Sequence, residues 1–86
     1  MKLYLLSQDD NHDLYATYSM VVCAESEEDA KTINPDGGVY IEPQLVGKKY
    51  FRSYWANKAS SISCVEIGIA NENQERGVIL DSIIAG

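Results

Sequence analysis

The sequence predicts an α+β domain, a mostly antiparallel β-sheet of four to five strands with one short helix on one face. Three observations carry this. Apolar runs rich in β-branched and aromatic residues recur at positions 3–6, 17–24, 62–70 and 78–84; one acidic stretch behind Ser26 has the chemistry of a helix start; and clusters of Asp, Asn, Gly and Ser separate them.

Leu3, Tyr4, Leu5 and Leu6 form an apolar run that reads as a first strand, buried on both faces and ended by the polar residues 7–13. The second strand spans 17–24 with Tyr18, Met20, Val21, Val22 and Cys23. The connection between them, roughly ten residues, is longer than a tight hairpin requires, which leaves it available for contacts.

Ser26 is a natural N-cap, and Glu27, Glu28 and Asp29 in the first turn oppose the helix dipole. Asp29 stands where a capping box prefers Glu or Gln, so that motif is partial. Asn34-Pro35 ends the helix after about two turns, because a residue preceding proline is pushed out of the α region. Ala30 and Ile33 face the sheet. Asp36-Gly37-Gly38 makes a turn, and Val39-Tyr40-Ile41 reads as a brief strand before Pro43.

The segment 48–58 carries aromatics at 50, 51, 54 and 55, a helical spacing, although aromatics also favour strands; a helical turn is the preferred reading. From 62 to 70, Val65, Ile67 and Ile69 alternate with Cys64, Glu66 and Gly68, the pattern of a half-buried strand. A polar loop over 71–77 and a last strand over 78–84 read as a hairpin closing the sheet.

Eighty-six residues make a single domain, 1–86, which buries roughly 60 to 65% of the surface its unfolded chain exposes. A deep catalytic pocket would compete with the core for the same side chains, so an outer binding face is the expected use of the surface and no enzymatic activity is expected. The start of the chain offers an apolar run of only four residues, too short for a signal peptide or membrane span. The expected location is the cytoplasm, with Cys23 and Cys64 reduced.

Charge is unevenly placed. Residues 1–47 hold two lysines against nine acids, and residues 59–86 one arginine against four acids, yet residues 48–58 hold four bases and no acid in a chain of net charge −6. Lys48, Lys49, Arg52 and Lys58 are too few for a nucleic-acid footprint, so nucleic acid is disfavoured as a partner and a membrane is not expected. Trp, Tyr and Arg are enriched where proteins bind each other. Tyr50, Arg52, Tyr54 and Trp55 are therefore the expected partner contacts, with Lys48 and Lys49 orienting the encounter. Tyr15 and Tyr18, flanking Thr17, would add hydroxyls for a ligand. The competing reading of the same segment places Phe51 and Trp55 in the core.

Other motifs carry less. Asp9-x-Asn11-x-Asp13 matches the start of a calcium loop, but Leu14 and Met20 stand where its glycine and bidentate glutamate belong. A zinc site would need both cysteines and a carboxylate, and Cys23 lies among apolar strand neighbours. His12 is the one histidine, with no cysteine near it in sequence. No phosphate-binding glycine motif is present. No metal and no cofactor are expected.

The opening Met1-Lys2-Leu3-Tyr4-Leu5-Leu6-Ser7-Gln8-Asp9-Asp10-Asn11, with Tyr15-x-Thr17-Tyr18, the run from Val21 to Ala30 and the closing Gly77-Val78-Ile79-Leu80, resembles a family of small uncharacterised proteins of bacterial, prophage and phage genomes. The resemblance brings no catalytic residues. It implies a setting in which tiny acidic proteins act by binding, including as inhibitors of host defence.

The sequence thus points to a non-enzymatic binding or inhibitory module acting on a protein partner. The alternatives are a small-ligand binder that captures a nucleotide signal by tyrosine stacking and Lys or Arg neutralisation, and a small enzyme using Asp9, His12 or Cys23. A homodimer is a further expectation, through edge-strand pairing or the aromatic segment.

Overall fold

The computed structural model describes residues 1–43, 45–46, 49–50 and 54–83, with positions 45, 46, 49, 50 and 81–83 described by their backbone. Strand β1 (Lys2–Ser7) and strand β2 (Thr17–Ala24) form the central hairpin, in register from Lys2 opposite Ala24 to Ser7 opposite Ser19. Period-2 geometry sends Tyr4 and Leu6 of β1 and Met20, Val22 and Ala24 of β2 into one buried cluster.

Helix α1 (Glu27–Ala30) follows directly and is one turn long. Ser26 caps it as expected, its Oγ accepting the Asp29 N–H at 3.1 Å, while the Asp29 carboxylate accepts the Glu25 N–H at 2.9 Å. The expected second turn is absent for a local reason. The N–H groups of Thr32 and Ile33 bond three residues back, to Asp29 and Ala30, so the backbone tightens to 3₁₀ geometry and the helix ends at Ala30, ahead of the Asn34-Pro35 stop that the sequence predicts. Ala30 and Ile33 are buried as the sequence implies. The brief strand expected at 39–41 is reduced to one bridge between Ile33 and Val39, because the Asp36–Gly38 turn folds this stretch back onto the helix exit.

Strands β3 (Leu45–Val46) and β4 (Lys49–Tyr50) pair with each other as a separate two-stranded ribbon. The preferred helical turn is therefore wrong at Lys49 and Tyr50, where β-propensity of the aromatic residue prevails over its helical spacing. A 3₁₀ turn at Ala59–Ser61 leads into strand β5 (Ser63–Ile69), and strand β6 (Gly77–Ile83) ends the described chain.

The four long strands form one antiparallel sheet in the order β5-β1-β2-β6, with one short helix beside it. β5 and β6 are thus not the closing hairpin that the sequence predicts. They flank the central hairpin on opposite edges, and the 70–76 connection crosses the end of the sheet, a distance of about 14 Å at three strand spacings. Two ties hold it there: Ala70 N–H donates to the Met1 carbonyl at 3.1 Å, and the Arg76 guanidinium grips the Asp29 carboxylate at 2.7 Å.

The core lies on the helix side of the sheet, where Tyr4, Leu6, Met20, Val22, Ala30, Ile33, Trp55, Ala56 and Ile62 pack together. The alternation in β5 correctly marks a strand, but its apolar set faces outward. Leu6 opposes Cys64 and Tyr4 opposes Glu66, so pairing with β1 assigns Cys64 and Glu66 to the helix side and leaves Val65 on the other. Ile67 and Ile69 are exposed as well.

Candidate binding surface

The loop after β1 is polar because it is bolted to the segment that carries the aromatics. Gln8, buried, points its side chain along the loop: Oε1 accepts the N–H groups of Asp10 and Asn11, and Nε2 donates to the carbonyls of Asn11 and Thr17. All four bonds lie between 2.9 and 3.0 Å. Asn11, also buried, donates from Nδ2 to the Trp55 carbonyl at 2.7 Å and accepts the Asp13 N–H on Oδ1. The Asp10 carboxylate takes the N–H groups of Asn57 and Lys58, both at 2.9 Å, and the Asp10 carbonyl takes the Asn57 side chain.

Buried polar groups are tolerated only when satisfied, and a satisfied network fixes a single arrangement of the backbone around it. Here the arrangement fixed is loop 8–13 against segment 54–58. Gln8, Asp10, Asn11 and Asn57 are the residues that sequence reasoning missed. The available signal was the density of short amide and carboxylate side chains at 8–13, which compete for local backbone groups; their partners 44 to 48 residues away have no sequence signature. Asn11, the middle residue of the partial calcium pattern, has both polar ends engaged in the fold.

Above this network the chain presents tyrosines. Asp13 accepts the Ala16 N–H, closing a turn whose third residue, Tyr15, has φ +70°, a left-handed conformation that costs a non-glycine residue about 1 to 2 kcal/mol. Tyr15 is nevertheless 60% exposed, so burial of its ring does little to offset that cost. Two residues on, Thr17 N–H donates to the Tyr54 carbonyl at 2.8 Å, joining the two segments backbone to backbone, and Tyr54 is 54% exposed. Tyr18 Oη and His12 Nδ1 are hydrogen-bonded at 3.0 Å, with ring centroids 5.5 Å apart. Leu14 is exposed beside them in the chain.

The structure therefore joins the Tyr15–Tyr18 segment to Tyr54. It corrects Trp55, which is 1% exposed and the largest fully buried side chain, so it belongs to the core and not to a contact surface. Trp55 and Tyr54 alternate because the chain bends at this point and sends consecutive side chains opposite ways. Lys49 and Tyr50 lie on β4. The expected contacts Lys48 and Arg52, with the expected core residue Phe51, lie outside the described residues, as do the side chains of Lys49 and Tyr50.

The remaining titratable groups near the core serve packing. Tyr40 reaches from the helix exit to donate to the Ala56 carbonyl at 2.9 Å, and burial pushes its hydroxyl up to about 12. Burial also raises the Cys64 thiol, which disfavours the thiolate needed for nucleophilic use. Cys23 is fully buried. Asp29 is held below the usual carboxylate range by the Arg76 hydrogen bond first and by the Glu25 N–H second. Among the described residues, no three His, Cys, Asp or Glu side chains converge as metal ligands, and no helix is long and apolar enough to cross a membrane.

No protein-family model, no curated protein and no solved structure matches this chain.

Proposed function

We propose that the protein is a non-enzymatic binding or inhibitory module that acts by protein–protein contact, with Tyr15, Tyr18 and Tyr54 at the centre of its contact surface. One observation supports this above the others: Tyr15 is held exposed in a strained left-handed conformation on a loop that Gln8, Asp10 and Asn11 lock to the Tyr54 segment. Backbone strain at an exposed aromatic has no role in packing and clusters at ligand clamps and binding loops. A rigid loop with outward tyrosines presents contact area without the entropic cost of ordering it on binding.

The basic segment that contains Lys48, Lys49, Arg52 and Lys58 adjoins this surface in sequence and would steer an acidic partner toward it, while the acidic remainder of the chain repels such a partner elsewhere. A phage or mobile-element counter-defence role is the setting proposed for it. Pull-down from a bacterial lysate, followed by identification of both co-purifying proteins and heat-released small molecules, tests the reading. A stoichiometric protein lost with Tyr15→Ala and Tyr54→Ala supports it; a released nucleotide with no protein partner would overturn it in favour of ligand capture.

A further inference from the structure

Between helix α1 and Tyr40 the chain makes one exposed turn, and that turn contains the one Asp or Asn of the sequence that precedes a glycine, Asp36-Gly37. The pairing matters chemically. The backbone nitrogen that follows an aspartate can attack the side-chain carboxyl carbon and close a five-membered succinimide, and a side chain on the following residue obstructs that approach. Gly37 has none, and the place where a Cβ would stand has no neighbour within 4 Å. Its φ of +93° is a conformation that glycine adopts without strain. The other aspartates, Asp9, Asp10, Asp13, Asp29 and Asp81, precede Asp, Asn, Leu, Ala and Ser. Asp10 is also held by the N–H groups of Asn57 and Lys58, and Asp29 by Arg76, so neither carboxylate is free to turn onto its own backbone.

The fold sets the Asp36 carboxyl close to its target. Oδ1 accepts the Gly38 N–H at 2.7 Å, so the side chain is folded back over the peptide that follows it instead of extending into water. A Cβ built on Gly38 would lie 3.1 Å from Oδ1 and 3.9 Å from Cγ, which measures how closely the carboxyl covers this stretch of backbone. Asp36, Gly37 and Gly38 are exposed, leaving room for a ring to form and for water to open it. Two features slow the reaction. The Gly37 N–H donates to the Asn34 carbonyl at 2.9 Å, and the Asn34 side chain first and the Gly38 N–H second hold the Asp36 carboxyl below the usual carboxylate range. Only the neutral carboxyl gives up its hydroxyl, so conversion takes weeks and not hours.

We infer that Asp36 is a covalent modification site, the position at which this chain converts to isoaspartate. The step needs no reagent beyond water. The Gly37 nitrogen bonds to Asp36 Cγ, its proton and the carboxyl hydroxyl leave as water, and hydrolysis of the ring at the former main-chain carbonyl takes one water up again. The backbone then runs through the old side chain and is one methylene longer, while the old main-chain carboxyl becomes the side group. Mass and charge are unchanged, but the turn is not. Its bonds from Asn34 N–H to the Gly38 carbonyl and from Tyr40 N–H to the Thr32 carbonyl, both 2.8 Å, depend on the original backbone length. Tyr40 in turn donates to the Ala56 carbonyl, so conversion loosens one anchor of the 54–58 segment while those from Asp10 and Asn11 stay.

The purified protein, incubated for about four weeks at about 37 °C and about pH 6, where a carboxyl keeps a small neutral fraction, is mapped by electron-transfer fragmentation, which tells the two linkages apart at equal mass. Isoaspartate is expected at position 36 at least tenfold above any other Asp or Asn, at no less than about a tenth of the rate in guanidinium chloride. Asp36→Asn, which loses ammonia in place of water, is expected to convert at least tenfold faster, and Asp36→Glu, which would need a six-membered ring, to stay unconverted. The converted protein, separated by chromatography, is expected to unfold a few degrees below the parent. Isoaspartate at 36 only in guanidinium chloride would overturn the inference, because the turn would then protect the site, and so would equal conversion at Asp9 or Asp13. An unchanged thermal midpoint would overturn the link from the turn to Tyr40.

Discussion

Replacing Asn11 by Asp changes one buried NH₂ group to an oxygen and almost nothing in volume, and so removes the donor of the bond that holds the loop to the Trp55 carbonyl. In the parent that bond is 2.7 Å long and Asn11 is 2% exposed. Asn11→Asp removes the donor and sets a carboxylate against a carbonyl oxygen in a buried site. Losing the bond with a buried acceptor left behind costs about 1 to 3 kcal/mol, and an uncompensated buried charge raises the total to about 3 to 5 kcal/mol. A domain of this length has a total stability of about 4 to 13 kcal/mol, so the loss takes a large share of it at neutral pH and all of it if the parent lies at the low end. With a urea slope of about 1 kcal/mol/M the midpoint falls by about 3 M or more. The pH dependence gives a second signature. The carboxyl of the variant has a raised folded pKa, so the folded state holds its proton more tightly than the unfolded state, and the deficit relative to the parent shrinks as pH falls toward 4. Asn11→Ala, with no charge, shows a deficit of about 2 kcal/mol that does not change with pH. Urea titration followed by circular dichroism at pH 7 and pH 4.5 reads all three proteins. A variant within about 0.5 kcal/mol of the parent at pH 7 would refute the assigned role of the loop network.

Other consequences are as direct. Tyr15→Gly releases the strain at φ +70° and is expected to raise stability by about 0.5 to 1 kcal/mol, seen as a thermal midpoint a few degrees higher, whereas Tyr15→Ala brings no such gain. Trp55→Ala is expected to cost about 3 to 5 kcal/mol and Tyr54→Ala less than about 0.5 kcal/mol, a contrast between adjacent residues that equal losses in chemical denaturation would contradict. Tyr40 has a folded pKa of about 12 against an ordinary value of 10.0, so its contribution is fully present below pH 10 and is lost as pH rises toward 12. Tyr40→Phe should flatten that alkaline slope, and an unchanged slope between pH 10 and pH 12 would show that another group governs it.

Local chemistry made the first half of the fold legible. The apolar runs of β1 and β2 and the Ser26 cap depend on neighbours within a few residues and appear in the structure, although the helix ends at Ala30, ahead of the expected Asn34-Pro35 stop, and Leu5 leaves one face of β1 exposed rather than both buried. What needed distant partners did not show. The opposite-edge placement of β5 and β6 rests on pairing with β1 and β2 and on the Arg76–Asp29 clasp, residues 47 apart in sequence. Alternation at Val65, Ile67 and Ile69 marks a strand without saying which of its faces the core covers, and the register with Tyr4 and Leu6 decides that. At the candidate surface, Tyr54 and Trp55 are indistinguishable by composition. A bend and the Asn11 bond to the Trp55 carbonyl separate them, sending one outward and one into the core. The strained φ of Tyr15 left no sequence trace, because Tyr is a residue that ordinarily avoids that conformation.

The most direct measurement is quantitative capture of a lysate-derived protein partner by the parent and by a Tyr15→Ser, Tyr54→Ser double variant, with circular dichroism and thermal unfolding confirming that both are folded. The expected result is at least a tenfold loss of captured partner with native stability retained. Undiminished capture by the folded double variant would contradict the placement of the contact surface at the Tyr15–Tyr54 loops.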